Sequence, residues 1–168
     1  TVWTLAKVPA WSSHSTQPRA ATTLDGGQTA VVVGAAHYQS DYRPTVMQRV
    51  DLAKGALIGG YVYASQSQGY YHYWSANRVV NIGGNFLLVA GNYDYTKDAP
   101  PRRGWIAKVS SGGSQVWHSI SPTAQTSYVE AIAVRPDGTI DAAGRQWTGK
   151  NYQLWLLRLN PEGITTWQ

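Results

Sequence analysis

One pattern of about 50 residues occurs three times along the chain. Glycine-centred turns separate short apolar runs, and no window of a dozen residues spaces its apolar residues as a helix would. Together these predict an all-β chain, a β-propeller of four-stranded antiparallel blades with three blades in the 168 residues. The expected blades span approximately 1–62, 63–120 and 121–168.

Within each blade four strands, a to d, are read from the repeat. Strand a leads into a tight turn, and strand b follows and ends in glycine. The first copy is Leu24-Asp25-Gly26-Gly27 with Thr29-Ala30-Val31-Val32-Val33-Gly34. The second is Ile82-Gly83-Gly84 with Phe86-Leu87-Leu88-Val89-Ala90-Gly91. The third is Pro136-Asp137-Gly138 with Thr139-Ile140-Asp141-Ala142-Ala143-Gly144. Asp-Gly and Gly-Gly suit the positive backbone angles of tight hairpins. Strand c reads Val46-Met47-Gln48-Arg49-Val50, Trp105-Ile106-Ala107-Lys108-Val109 and Leu156-Leu157-Arg158-Leu159, each with a base beside its last apolar residue. A base recurring at one blade position implies a repeated structural role, snorkelling or an ion pair. A turn ending in Gly55, Gly113 or Gly163 follows, then strand d. Strand d places Trp117 and Trp167 four residues beyond the glycine, where the first copy has Gly59. Trp105, Trp117, Trp155 and Trp167 are expected in the inter-blade core.

The strings Ala131-Ile132-Ala133-Val134-Arg135-Pro136-Asp137-Gly138 and Leu157-Arg158-Leu159-Asn160-Pro161-Glu162-Gly163-Ile164-Thr165-Thr166-Trp167 resemble bacterial β-propeller repeats of the seven-bladed or a related type. The resemblance covers all three copies and implies architecture rather than activity. Such repeats occur in secreted and cell-surface proteins, so an extracellular or periplasmic location is the expectation. The Gly-x-x-x-Trp feature also resembles blades of quinoprotein dehydrogenases, some of which place adjacent cysteines at the cofactor. This chain has none, and no cofactor is expected.

Val2-Trp3 matches Val116-Trp117, so the sequence opens inside a d-like strand. Starting at Thr1, it reads as a processed or truncated end. Three blades close a ring poorly, and an open array exposes apolar faces. The expected partner is a second copy completing a six-bladed ring, with additional blades from a longer or different chain as the alternative.

Composition narrows function. Charged residues make up 14%, and fourteen bases against nine acids give +5, but the bases are scattered apart from Arg102-Arg103. Without a basic stripe or motif, nucleic acid is not an expected partner. No run approaches the roughly 20 apolar residues that span a bilayer. Absence of cysteine removes thiolate chemistry and disulfides. Eight Trp and eleven Tyr supply nearly all the aromatic surface.

The b–c and d–a connections are the long ones, over 35–44, 92–103 and 145–151, and over 9–19, 64–74 and 121–127. They carry most of the polar aromatics, on the face where propeller loops carry function. The candidate ligand-binding residues are Tyr70, Tyr71, His72, Trp74, Tyr93, Asp94, Tyr95, Trp11 and Trp147. Stacked rings with a nearby carboxylate suit a carbohydrate or a protein ligand. The alternative is that these aromatics pack between blades.

No nucleophile elbow, zinc-protease motif or P-loop occurs. Asp94 and Asp98 lack the EF-hand pattern, and four histidines lack metal-ligand spacing. Glu130, entering an a strand, and Asp141, interrupting an apolar b strand, are the carboxylates to examine for acid–base work. The ordinary alternative for Asp141 is a pairing with a base. The first expectation is therefore a non-enzymatic binding module. Part of a propeller enzyme (hydrolase, lyase or quinone-dependent dehydrogenase) and a structural role are the alternatives.

Overall fold

The computed structural model describes residues 15–37, 45–63, 66–67, 70–95, 102–122 and 125–168. Thirteen strands and no α-helix occur among them. The first blade holds β1 (Ser15–Leu24), β2 (Thr29–His37), β3 (Thr45–Asp51) and β4 (Ala56–Tyr63). The second holds β6 (Tyr70–Gly83), β7 (Phe86–Tyr95), β8 (Arg103–Ser110) and β9 (Gln115–Ile120), with a two-residue strand β5 (Gln66–Ser67) added on the edge of β6. The third holds β10 (Ser127–Val134), β11 (Ile140–Trp147), β12 (Tyr152–Leu159) and β13 (Thr165–Trp167). Each sheet is an antiparallel meander in chain order, so the chain forms three four-stranded blades.

The hairpin turns follow the sequence chemistry. Asp25, Gly26 and Gly27 form a tight turn with positive φ throughout, and Gly83, Gly84 and Asn85 take the same region in the second blade. The long connections are shorter than expected. Residues 70–74, 92–95 and 145–147 continue the strands, because runs rich in Tyr, Trp and other β-formers keep pairing past the blade body.

Every a strand carries a bulge at the same place. The extra residue is Arg19 between Pro18 and Ala20, Asn77 between Ala76 and Arg78, and Glu130 between Val129 and Ala131. Opposite each bulge stands the glycine that ends the repeated b strand: Gly34, Gly91 and Gly144. A Cβ on these residues would fall 2.0 Å from the Gln17 carbonyl oxygen, 1.8 Å from that of Ser75 and 1.7 Å from that of Tyr128. The bulge turns a carbonyl into the space of the missing side chain. That approach, repeated three times, is the physical reason for the glycine in the motif.

Alternation along each strand gives every blade a forward face, toward the next blade in the chain, and a rear face. Val31, Val33 and Met47 on the forward face of blade one pack against Leu87, Val89, Trp105, Ala107 and Val109 on the rear face of blade two. Leu88, Ala90 and Ile106 on the forward face of blade two pack against Ile140, Ala142, Trp155, Leu157 and Leu159 of blade three. The middle blade is buried on both sides. Trp105 and Trp155 are in the inter-blade core as expected.

Trp117 also packs against the core between blades two and three, at its edge, and only Trp167 departs from that expectation. Trp117 is half-buried and lies over the c–d turn of blade three, where a Cβ on Gly163 would fall 2.6 Å from its ring; its indole N–H donates to the Pro161 carbonyl at 3.2 Å. Tyr61 holds the same relation to blade two, with its ring 2.2 Å from where a Gly113 Cβ would be. Tyr61 thus does in blade one what Trp117 does in blade two, although Gly59 occupies the matching register position opposite Arg49. Trp167 is 53% exposed. It belongs to the last blade, so the packing site its predecessors use is not supplied by a following blade within the described residues.

Candidate functional site

The recurring bulges place polar side chains along the strands that stand first in each blade. Arg19 Nη1 donates to Asn77 Oδ1 at 2.9 Å, joining blade one to blade two. The Arg78 guanidinium donates through Nη1 to the Asn77 carbonyl at 2.7 Å and through Nε to the Glu130 carbonyl, joining blade two to blade three. Its Nη2 also lies 3.9 Å from Glu130 Oε2. On the other side Arg145 Nε stands 3.3 Å from Glu130 Oε1. One half-exposed carboxylate is therefore bracketed by two guanidiniums, with a third, Arg19, further along. The Asn81 side-chain amide reinforces the seam by donating to the Thr23 carbonyl at 2.8 Å.

Arg145 links this polar belt to an aromatic group at the long-connection end of blade three. Its guanidinium carbon lies 4.7 Å from the Tyr128 ring centroid and 5.0 Å from that of Tyr152. Tyr152 meets Tyr128 edge-on at 5.9 Å and Trp147 at 5.1 Å. Cations over aromatic faces are held by the ring quadrupole. The Tyr152 hydroxyl titrates above its ordinary range, first through its hydrogen bond with Tyr128. Trp147 and Tyr152 are 36% and 46% exposed.

The predicted ligand residues fall into three sets. Tyr70, Tyr71, His72 and Trp74 lie on β6, and Tyr93, Asp94 and Tyr95 on β7. The register sets His72 opposite Tyr95, Tyr73 opposite Asp94 and Trp74 opposite Tyr93, while Tyr70 and Tyr71 pair with Ser67 and Gln66 of β5. Two stretches distant in sequence thus become one ribbon. Trp147 ends β11, paired with Tyr152, on the forward face of blade three. Trp11 lies outside the described residues, as do His14 and Asp98.

The two carboxylates singled out from sequence part company. Asp141 accepts from Arg158 Nε at 2.6 Å and Nη2 at 3.2 Å, and from Arg135 Nε at 2.7 Å. The Arg158 hydrogen bonds, then those of Arg135, hold its pKa down at about 2. It is ionised at neutral pH with both oxygens engaged, so it has no proton to give, and it pairs with bases of its own blade. Arg158 is the recurring strand-c base, set opposite Asp141 as Lys108 is opposite Leu88 and Arg49 opposite Val31. Lys108 instead places its ammonium 4.8 Å from the Phe86 ring centroid. Glu130 sits on the bulge in the Arg78–Arg145 clasp.

Arg19, Asn77, Arg78, Arg145, Tyr128 and Tyr152 were not singled out by sequence. The available signal was the residue 14 or 15 before each b-strand glycine: Arg19, Asn77 and Glu130 precede Gly34, Gly91 and Gly144 by 15, 14 and 14 residues. Among the described residues no group of three or more His, Asp or Glu side chains is placed to hold a metal ion. Among the described residues no helix is long and apolar enough to cross a membrane. Comparison with protein-family models and with curated proteins finds no match to this chain.

Proposed function

We propose that this chain is a non-enzymatic ligand-binding β-propeller module that recognises a carbohydrate or protein through the aromatic-rich end of its blades. The observation that carries this reading is the register of β6 with β7, which brings the His72–Trp74 and Tyr93–Tyr95 positions side by side at the long-connection end, with Tyr70 and Tyr71 preceding them on β6 beside β5. Tyrosine and tryptophan supply stacking area at low conformational cost, and Asp94, opposite Tyr73, adds a hydrogen-bonding carboxylate. The guanidinium groups of Arg19 and Arg78 on the first strands of blades one and two, and of Arg145 on β11 of blade three, favour a ligand with an acidic or hydroxyl-rich edge. The state of Asp141 argues against the paired-carboxylate alternative, since an acid held at about 2 is a poor proton donor at neutral pH.

The test is titration of intrinsic tryptophan fluorescence with neutral and uronic-acid oligosaccharides. Saturable quenching that Tyr71→Ala and Trp74→Ala each weaken at least about tenfold is expected, equivalent to about 1.4 kcal/mol per site. A flat response across a broad panel removes the sugar version. A protein ligand then has to lose affinity with the same two substitutions.

A further inference from the structure

The end of blade three beside the turn joining β11 to β12 carries rings and a guanidinium that packing within the blade leaves part-exposed. Trp147 closes β11 and Tyr152 opens β12, directly opposite one another on the forward face. Two residues along the same face, Tyr128, Arg145 and Leu154 form a row across β10, β11 and β12. The matching rows are Gln17, Ala35 and Thr45 in blade one and Ser75, Asn92 and Gly104 in blade two, where Ala35, Thr45 and Gly104 are buried. Blade packing is served there by small residues. In blade three the row is large, aromatic and charged, and Leu154 is 74% exposed.

The chain itself holds this group in place. The Trp147 N–H donates to the Thr126 carbonyl at 2.7 Å. The turn beyond it is closed by Thr148, whose N–H donates to the Asn151 carbonyl at 2.9 Å and whose hydroxyl donates to Asn151 Oδ1 at 2.8 Å. The rings of Trp147 and Tyr152 are tilted by 60° and those of Tyr152 and Tyr128 by 63°, which makes a shallow corner. Arg145 lies over both tyrosines, and Glu130 meets its guanidinium from the Nε side at 3.3 Å, with the arginine side chain 52% exposed. Positive charge is in excess around it. Glu130 is shared by Arg78 and Arg145, and Asp141 by Arg135 and Arg158, so each carboxylate leaves one guanidinium over. Arg102 adds its charge near the Tyr152 hydroxyl.

We propose, on the reading of this chain as a binding module, that this corner is a subsite for an acidic sugar, with a pyranose ring stacked on Trp147 and Tyr152 and its carboxylate on the Nη edge of Arg145. Aromatic faces are electron-rich and attract the C–H face of a saturated ring, while the tyrosine hydroxyl matches sugar hydroxyls. A corner of two tilted rings suits one compact ring rather than an extended peptide. The fork of an arginine takes a carboxylate through two parallel hydrogen bonds, which are stronger than those to a neutral hydroxyl. Rings and a guanidinium already fixed in position lose little freedom on binding.

Calorimetric titration of the chain with a galacturonic-acid oligosaccharide, and with the methyl ester of the same oligosaccharide, tests the assignment. The acid is expected to bind at least about tenfold more tightly than the ester. Arg145→Gln should bring the acid down to the level of the ester. Trp147→Ala should weaken both by at least about tenfold, whereas Trp147→Phe, which keeps a ring, should stay within about threefold of wild type. Acid and ester of equal affinity overturn the proposal. So does acid binding that neither Arg145→Gln nor Trp147→Ala weakens; if Tyr71→Ala and Trp74→Ala do weaken it, the chain is still a binding module and only this subsite falls. A glutamate-rich peptide that binds as tightly as the acid overturns the choice of a sugar. Absence of binding by any oligosaccharide removes the subsite together with the sugar version of the module.

Discussion

Replacing Gly91 by alanine tests the strand-and-bulge geometry most directly. The new Cβ would stand 1.8 Å from the Ser75 carbonyl oxygen, 2.8 Å from its carbonyl carbon and 2.9 Å from Ala76 Cα. All three are backbone atoms and cannot swing aside as a side-chain tip does. Relief requires β6 and β7 to part by more than about 1 Å, judged against ordinary contact distances of about 3.5–4 Å. Those strands carry Leu87, Leu88, Val89 and Ala90, all buried, on both faces of the middle blade. The penalty should reach or exceed the upper end of the roughly 1–3 kcal/mol typical of overpacked cores. For a chain of this size that is a loss of about 6–12 °C in Tm. Gly59→Ala is the control. It adds a methyl on the same chain with nothing within 4 Å and no positive φ, so its Tm should stay level or rise slightly. Thermal unfolding followed by near-ultraviolet circular dichroism reads both. If Gly91→Ala melts within a degree or two of Gly59→Ala, the close approach is not what the repeated glycine serves.

Leu88→Ala, at a fully buried site between blades two and three, should cost about 2–5 kcal/mol in urea unfolding. Leu154→Ala, at an exposed site on the forward face of blade three, should cost almost nothing, and equal losses would mean that the two faces are equally packed. Asn77→Ala removes the acceptor for Arg19 across the first seam and should lower stability by about 1 kcal/mol, measured by the same unfolding curves. Asp141 has a native pKa lowered from 3.8 to about 2, so its contribution is fully present above pH 3.8 and fades as pH falls toward 2. Wild type should therefore exceed Asp141→Asn by a small, constant margin above about pH 4 that closes on acidification. A margin that widens as pH falls would reverse the sign of the linkage.

What the sequence determined by itself was the repeat and its chemistry. The positions of Gly34, Gly91 and Gly144, the Asp-Gly and Gly-Gly turns, and the alternation of Val, Leu and Ala specify four strands per unit, because local backbone angles and a period of two are written residue by residue. Burial of Trp105 and Trp155 followed from the same alternation. The bulges were not legible: nothing in Pro18-Arg19-Ala20 or Ala76-Asn77-Arg78 says that the middle residue will be left out of the ladder. That outcome depends on a carbonyl finding space against a glycine some 15 residues away. The lengths of the connections were misjudged for a related reason, since Tyr70–Trp74 read as a loop until Asn92–Tyr95 supplied a strand for His72–Trp74 to pair with and Gln66–Ser67 one for Tyr70 and Tyr71. Only the tertiary arrangement decided that Asp141 is clasped by Arg135 and Arg158 while Glu130 is held by Arg78 of another blade and Arg145 of its own. The exposure of Trp167, with Trp117 in the same register covering a glycine, was likewise decided there. Local periodicity sets which face a residue occupies; whether that face is covered depends on the neighbour that the fold, or a second chain, brings to it.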